Sequence, residues 1–384
     1  MLKRLVITSA ALLFLCSGLK AQEQDSLMVI DAQPDTVQLA SKVSDEVLME
    51  RLVALNPYFT LPFNSIVRRY MVVYSEKRGV PMKRAMGLSS YYFPIIEEIF
   101  CRYGIPLELK YLAVVESMLN PTATSRAGAK GIWQFMFRTA RSYGLKIDSY
   151  VDERMDVEKA TDAAARYLLS LYETLGDWPL AVSAYNCGAG NVNKAIRRAG
   201  GKRDFWSVYP YLPRETRGYM PAFVGVMYAF AYSRDYGLDA VDVFVPEQVD
   251  TFEVKRNLHF KQISEVVGIP EEELKHLNPK YYHDIIPGAG GTCLVNIPAG
   301  WSDAYMAVSA DTLYKHKASE YLSEKVLKDI EAGNSTGGGA CYVVKSGDTL
   351  SHIARRYGVS VKKLMSMNHL RSDRISIGQK IYIY

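Results

Sequence analysis

The stretch PLELKYLAVVESMLNP, residues 106 to 121, decides the fold and contains the most informative acidic residue of the chain. Pro106 favours the first turn of a helix, and Asn120 followed by Pro121 ends one. Four residues recur at spacings of four, three and four on the predicted buried face: Ile105, Leu109, Leu112 and Glu116. Glu116 therefore stands where an apolar residue is expected.

This position has a chemical consequence for Glu116. Burial disfavours the charged carboxylate, and the last turn of a helix faces the negative end of its dipole, so both effects raise the pKa. A glutamic acid that is still protonated near neutral pH can act as a general acid. The alternative is a Glu at a frayed helix end that turns to solvent, and the stretch alone leaves both interpretations open.

Three downstream motifs place glycine turns beside amide and phenol side chains, which suit a sugar ligand. They are GIWQFM at residues 131 to 136, AYNCGAGNV at 184 to 192 and PRETRGYMP at 213 to 221. Together with Glu116 and Ser117, and in this order over residues 95 to 235, they resemble the lytic transglycosylase family, closest to its membrane-bound D type. The resemblance implies an α+β fold class, with a mainly α-helical lysozyme-like catalytic domain followed by small βααβ LysM-type modules.

The resemblance also implies roles for individual residues. Glu116 would protonate the oxygen between N-acetylmuramic acid and N-acetylglucosamine, then take the proton of the muramyl C6 hydroxyl as 1,6-anhydromuramic acid forms. Gln134 would offer an amide to a sugar, Met136 an apolar shelf, and Tyr219 a hydroxyl that orients Glu116. The full predicted substrate-binding set is Ser117, Ser125, Gln134, Met136, Tyr185, Asn186 and Tyr219. Cys187 stands where the family usually has Ala.

The number of available carboxylates separates this mechanism from hydrolysis, because ordinary glycosidases use two. Residues 117 to 147 include five basic residues and no acid. Four acids follow in a predicted loop and are candidates to fold back: Asp148, Asp152, Glu153 and Asp156. A lysozyme-type muramidase and a non-catalytic peptidoglycan-binding tether therefore stay open as alternatives. Trp133 and Phe135 would either exclude water from the site or pack in the core.

Residues 252 to 278 align with residues 342 to 368 at a constant offset of 90. The pairs Leu274 with Leu364 and Asn278 with Asn368 are among the identities, which predicts two copies of one small fold. The second copy resembles a LysM module, which implies binding of N-acetylglucosamine units. The predicted glycan-binding residues are Gly347, Asp348, Thr349, Asn368 and Ile375.

The first copy departs from the LysM pattern, and its sugar binding stays open. The turn Gly-Asp-Thr is replaced by Asn257, Leu258 and His259, and Pro287 with the following glycines interrupts the expected return strand. We interpret it as a degenerate repeat that packs on the catalytic domain as a spacer.

Composition shifts predict the domain organisation. The predicted segments are a signal peptide at residues 1–21, a polar tether at 22–56, the catalytic domain with an N-terminal helical extension at 57–240, the degenerate repeat at 250–300, a helical then glycine-rich linker at 301–340, and the LysM module at 341–384. The glycine-rich stretch predicts that the last module samples many orientations. The apolar run after Lys3 and Arg4 is too short to span a membrane, which favours export to the periplasm or cell envelope. Cys16 keeps a lipid-anchored alternative and possible outer-membrane association open.

Charge and cysteine content narrow the classes of function. The net charge is +5, and without the signal peptide it falls to 43 minus 41, or +2. No basic stripe with interleaved aromatics is present, so we expect no nucleic acid as a partner. The resemblance implies peptidoglycan as the partner, and no protein partner is predictable. Cysteine and histidine spacing fits no common zinc pattern, so we predict no metal and no cofactor. The disulfide state is not determined for Cys101, Cys187, Cys293 and Cys341.

Overall fold

The computed structural model describes residues 39–55, 62–243, 248–331, 341–357, 359–368, 370 and 372–383. The predicted signal peptide, residues 22–38 of the predicted tether and the glycine-rich residues 332–340 lie outside the described ranges.

A large helical domain occupies the first two thirds of the chain. Its α-helices are α1 Asp45–Ala54, α2 Ser65–Val72, α3 Gly79–Tyr103, α4 Tyr111–Ser117, α5 Phe137–Ser142, α6 Val157–Leu175, α7 Trp178–Cys187, α8 Ala189–Arg198, α9 Phe205–Val208, α10 Arg214–Arg217 and α11 Tyr219–Ala231. A π-helix covers Val73–Lys77, and 3-10 helices cover Leu107–Lys110, Glu153–Met155, Tyr209–Tyr211 and Ser233–Tyr236. Helix α6 packs on α3 and α7, while α11 packs on α2 and α4. The α11 helix is buried over most of its length, so it forms the centre of the domain.

Helices α6 and α7 begin and end at residues with strong local preferences for helix ends. Asp156 caps α6 by accepting from the Lys159 backbone N–H, and Gly176 ends it in the left-handed conformation with a φ of 72°. Asp177 caps α7 in the same way, accepting from Leu180. These local signals are strong because a short acidic cap and a C-terminal glycine satisfy helix ends without help from the tertiary fold.

The predicted tether is wrong for residues 39–55, because this segment forms α1 and joins the core. Leu48 and Leu52 are buried against the large domain. Arg68 donates to Asp45 over 2.6 Å, and Arg51 forms an ion pair with Asp235. A polar surface with two apolar residues four apart is a short amphipathic helix, and the composition of the whole segment hides it.

The first copy of the repeat is built from two small two-stranded antiparallel sheets and two helices. Its elements are β1 Val249–Val254, β2 Asn257–His259, α12 Phe260–Val267, α13 Glu271–Leu277, β3 Ile285–Pro287 and β4 Cys293–Pro298, with 3-10 turns at Tyr282–Asp284, Gly288–Gly290 and Ala299–Trp301. The register pairs Val249 with Pro298 and Asn257 with Pro287. The prediction that Pro287 interrupts the return strand is wrong, since β4 is the intact return strand and Pro287 ends the additional strand β3, which pairs with β2.

The second copy has β5 Cys341–Val343, α18 Leu350–Tyr357, α19 Val361–Met367 and β6 Lys380–Tyr382, and β5 pairs with β6 in antiparallel register. The two copies are closed by the same asparagine. Asn278 donates to Leu274 O and Asn296 O and accepts from Asn296 N. Asn368 makes the corresponding bonds, to Leu364 O and with both backbone groups of Tyr382.

Between the copies lie four short helices, which are α14 Ser302–Ala307, α15 Ala310–Lys315, α16 Ala318–Tyr321 and α17 Glu324–Glu331. The second copy packs on the large domain at α5, where the Tyr357 and Phe137 ring centroids are 6.3 Å apart. Lys345 also donates to Arg126 O. Tyr357 thus supplies an apolar contact in addition to the linker, and the sampling of many orientations stays a prediction. No described helix combines the length and apolar character needed to cross a bilayer.

Candidate active site

Glu116 lies in the last turn of α4, one residue before the helix ends. The preceding stretch winds first as a 3-10 helix, so the α-helix is shorter than the sequence predicts. Met118 and Leu119 follow with φ values of 51° and 60°, although neither is glycine. Left-handed backbone at such residues costs about 1 to 2 kcal/mol each and is found at functional sites that the surrounding fold over-determines. The buried Leu119 side chain holds this abrupt end in place.

The Glu116 carboxyl group is held by one close hydroxyl. Tyr219, at the start of α11, donates to Glu116 Oε1 over 2.5 Å. Burial raises the pKa of Glu116 to about 7, and the Tyr219 hydrogen bond partly offsets this by stabilising the carboxylate. A carboxyl group with this pKa is present in both protonation states at neutral pH, so it can donate a proton and take one back.

Tyr185 lies beside this pair and connects it to the GIWQFM segment. Its hydroxyl donates to Trp133 O over 2.9 Å, and burial together with the neighbouring Glu116 charge raises its pKa well above the usual range. Asn186 accepts from Thr216 Oγ1 over 2.8 Å, which joins α7 to α10. The Trp133 side chain is fully buried, which supports its interpretation as core.

The segment from residue 123 to 136 folds into a small hairpin, which we call the site hairpin. Lys130 bridges to Thr124 on one side and Phe135 on the other. Gln134 has a φ of 48°, and its amide nitrogen donates to Ala123 O and Gly131 O. The side chain therefore stabilises the hairpin, and its amide carbonyl is the group left for a sugar.

Two residues predicted to bind substrate, Ser117 and Ser125, make hydrogen bonds that stabilise the site hairpin. Ser117 is 2% exposed and donates to Ile132 O over 2.8 Å, which ties α4 to the site hairpin. The prediction that Ser117 binds substrate is therefore wrong in its geometry, since a buried hydroxyl cannot reach a sugar. Ser125 accepts from Ala129 N over 3.0 Å and closes the hairpin turn while staying partly exposed. Met136 is partly exposed at the end of the hairpin, just before α5.

The four acids of the following loop are engaged elsewhere. Asp148 accepts from two backbone N–H groups of its own turn. Asp152 is fully buried and bound to Arg154. Glu153 accepts from Lys146 N and pairs with Lys159, whereas Asp156 caps α6. The loop therefore offers no second carboxylate to Glu116.

A row of aromatic rings beside Glu116 was not predicted as a unit. The Tyr185 ring is 5.2 Å from the Tyr167 ring and 6.2 Å from Phe135, and Tyr167 is 5.1 Å from Tyr143. Tyr167 and Tyr143 are partly exposed, so each presents an apolar face and a hydroxyl. They come from α6 and from the loop after α5, and no sequence motif joins them. The high tyrosine content of the chain, 27 residues, was the only sequence signal for this row of rings.

In the LysM module, the predicted groove residues divide into exposed and structural groups. Gly347 and Thr349 are exposed, and Thr349 caps α18 by accepting from His352 N. Asp348 accepts from Tyr342 Oη and Lys345 N, so it fixes the turn. The prediction that Asn368 binds glycan is wrong for its amide, which closes the module.

The loop before β6 adds an apolar side chain that was not predicted. Ile375 is partly buried against the module, whereas Ile377 is 73% exposed.

Glu116 is thus a partly buried acid with a pKa near 7, one phenol partner and no second carboxylate from its loop. These properties suit an enzyme that cleaves glycosidic bonds with one carboxyl group. Three family models match the chain in agreement with this geometry. Residues 94–207 match the transglycosylase SLT domain, residues 248–313 the LysM-like domain of lytic transglycosylase MltD, and residues 342–383 the LysM domain.

The chain is also similar to curated enzymes. It is 33% identical over 327 residues, 84% of this chain and 70% of the relative, to membrane-bound lytic murein transglycosylase D of Escherichia coli strain K12. It is 32% identical over 167 residues to membrane-bound lytic murein transglycosylase F of Pseudoalteromonas translucida, covering 37% of this chain and 34% of the relative. Over 114 residues it is 38% identical to peptidoglycan transglycosylase gp16 of Escherichia phage T7, covering 29% of this chain and 8% of the relative. The chain belongs to the lytic transglycosylase family, in the group of the membrane-bound D type, and the predicted resemblance is confirmed.

Proposed function

We propose that this enzyme cleaves the β-1,4 bond between N-acetylmuramic acid and N-acetylglucosamine in peptidoglycan without water, with Glu116 as the only acid and base. The observation that carries the assignment of Glu116 is its pKa of about 7 beside the Tyr219 hydroxyl. Peptidoglycan as substrate is supported by the SLT and LysM matches and by the relatives named for murein.

The chemistry balances with one carboxyl group. Protonated Glu116 gives its proton to the bridging oxygen as the bond from that oxygen to C1 breaks. The resulting carboxylate then takes the proton of the muramyl C6 hydroxyl as O6 bonds to C1, which gives a 1,6-anhydro end and restores the acid. Because O6 belongs to the same sugar, its attack is intramolecular, and such attack has effective molarities of ~10⁵ M or more.

The residues around Glu116 support this sequence in different ways. Tyr219 holds one carboxyl oxygen, so the other is free to face the bridging oxygen. Gln134 and Met136 would contact the sugars from the site hairpin, and the ring row of Tyr185, Tyr167 and Tyr143 would line the strand's path. A hydrolase is not favoured, since each of the four loop acids is held by a cap or an ion pair.

We infer that the LysM module binds glycan through the exposed turn at Gly347 and Thr349 and the loop that carries Ile377. Backbone groups in such turns suit acetamido groups, which need one donor and one acceptor. We propose a division into the large domain, which includes α1, the degenerate repeat at residues 250–300 and the LysM module at 341–384. We further propose that the enzyme works in the periplasm, in line with the predicted signal peptide and a relative named membrane-bound.

Mass spectrometry of muropeptides released from purified peptidoglycan tests this function. Wild type should release products lighter by one water than hydrolysed ones, and Glu116→Gln should release none. Reducing-end muramic acid would instead establish hydrolysis, and no release by wild type would favour a tether. Asp148→Asn is the matched control, because it removes a carboxylate from the turn without touching Glu116.

A further inference from the structure

A buried polar network joins the degenerate repeat to the site hairpin. Lys130 of the hairpin donates to Tyr282 Oη over 2.6 Å, and Tyr282 donates to Asp152 Oδ2 over 2.7 Å. Asp152 binds Arg154 through two bonds of 2.9 and 2.7 Å. Asp152 and Arg154 are 0% and 2% exposed, and Tyr282 is 8% exposed, so these groups interact with little solvent screening.

The same arginine holds the hairpin backbone. Arg154 donates to Gly128 O over 3.0 Å and to Phe135 O over 3.3 Å, which are at the turn and at the base of the hairpin. Gly131 lies against Arg154 so closely that a Cβ atom there would be 1.7 Å from Arg154 O. The hairpin therefore has no room to settle differently while Arg154 stays in place.

Tyr282 is itself fixed by backbone bonds between the repeat and the loop after the hairpin. Tyr282 N donates to Tyr150 O over 2.8 Å, and Asp152 N donates to Lys280 O over 2.9 Å. Lys280 also pairs with Asp156 over 2.7 Å. Backbone hydrogen bonds therefore join the repeat to the loop at Tyr150 and Asp152. They place the Tyr282 hydroxyl within hydrogen-bond distance of both Lys130 and Asp152.

We propose that Tyr282 is a positioning residue for glycan cleavage, by which the degenerate repeat holds the site hairpin in its working position. The inference rests on the proposed function of Glu116 and the hairpin. The phenol accepts from the Lys130 ammonium and donates to the Asp152 carboxylate, and Asp152 in turn fixes Arg154. Without the hydroxyl, Lys130 loses its close contact with the repeat, and the network keeps only its longer ion pair with Asp152 at 3.7 Å. The hairpin strand that holds Lys130 then shifts, and Gln134 shifts with it.

The experiment compares Tyr282→Phe with Tyr281→Phe in the full chain. Tyr281 donates over 2.6 Å to Leu294 O inside the repeat, so its variant loses one enclosed hydrogen bond without touching the network. We expect kcat on soluble glycan chains to fall about ten-fold for Tyr282→Phe, because small misplacements of a positioned site lower rate steeply. KM, the amount bound to sacculi and Tm should match those of Tyr281→Phe.

Coupling between Tyr282 and Lys130 gives a second test. In a Lys130→Met background, adding Tyr282→Phe should lower kcat less than it does alone, because the partner of the hydroxyl in the hairpin is already gone and only the bond to Asp152 is lost. Equal kcat for the two tyrosine variants would overturn the proposal, as would fully multiplicative effects with Lys130→Met. Loss of sacculus binding with unchanged kcat would also overturn it and make the repeat a binding module. Glu116→Gln in the same assay separates the two questions, because its retained activity would refute the proposed function and not this one.

Discussion

Glu116 and Asp152 are both enclosed carboxyl groups, and their surroundings give them opposite properties. Glu116 has a phenol as its close partner, and burial raises its pKa to about 7. Burial also acts to raise the pKa of Asp152, but Arg154 and Lys130 outweigh it and lower the pKa below the usual value. The difference between the two sites is the presence of cations.

This difference separates a chemical role from a structural one. A carboxylate paired with a bidentate arginine stays charged through the pH range of the cell and holds the loop. A carboxyl group that lacks a cation can exchange its proton, so it is the one suited to general acid catalysis. Glu116 and Asp152 both lie close in sequence to the site hairpin. Their contacts in the folded chain distinguish the carboxyl group suited to proton exchange from the structural one.

The largest effect should come from Asp152→Asn, which leaves Arg154 and Lys130 buried without their carboxylate. We expect the free energy of unfolding at pH 7 to fall by about 3 to 5 kcal/mol. The lowered pKa of Asp152 means that its contribution is present above the unfolded value of 3.8 and is lost as pH falls through the folded value.

Urea unfolding at pH 7 and at pH 3, followed by tryptophan fluorescence, measures this. The difference between wild type and variant should narrow at pH 3, and a difference of the same size at both values would contradict the pairing. Asp148→Asn is the control, since its side chain is 41% exposed and an amide still caps the turn. It should change stability by less than about 1 kcal/mol.

Glu116→Gln should change stability in the opposite direction and at the opposite end of the pH scale. A folded pKa of about 7, above the unfolded value of 4.5, gives a contribution that is complete below 4.5 and lost as pH rises through 7. Gln avoids that loss, so the variant should be more stable than wild type above pH 7, by at most about 3 kcal/mol. Urea unfolding at pH 4 and pH 8 measures it, and equal stability at pH 8 would mean that Glu116 faces solvent.

Much of the large domain could be predicted from local signals. Asp156, Gly176 and Asp177 mark helix ends by their own conformational preferences, and the structure places the ends there. Glu116 could be found because an acid interrupts an apolar face. Its pKa near 7 comes from burial in the folded chain. Its hydroxyl partner Tyr219 is more than one hundred residues away and was located only through the family resemblance.

The wrong predictions for binding residues share a cause, because the same polar side chain can bind a sugar or stabilise the fold. Asn368 was predicted to bind glycan because it lies in the LysM-like motif. Its amide instead closes the LysM module, as the amide of Asn278 closes the first copy. Ser117 directly follows Glu116, but its side chain is buried and donates to Ile132 O. The Tyr282 network was not predicted, because its four residues belong to three segments that meet only in the folded chain.

The smallest effect, and the sharpest test of the comparison, is expected for Tyr219→Phe. Its hydroxyl stabilises the Glu116 carboxylate, so removing it raises the pKa of Glu116 further. One hydrogen bond of about 1 kcal/mol corresponds to somewhat less than about one pH unit. The general acid must be protonated, so the alkaline limb of kcat/KM should move upward by that amount. Tyr185→Phe is the control, because its hydroxyl donates to Trp133 O and its loss should lower the rate without moving the limb. If Tyr219→Phe leaves the alkaline limb of the kcat/KM profile unchanged, burial alone determines the pKa of Glu116. The absence of nearby cations would then be the only difference between the surroundings of Glu116 and Asp152 that affects their pKa values.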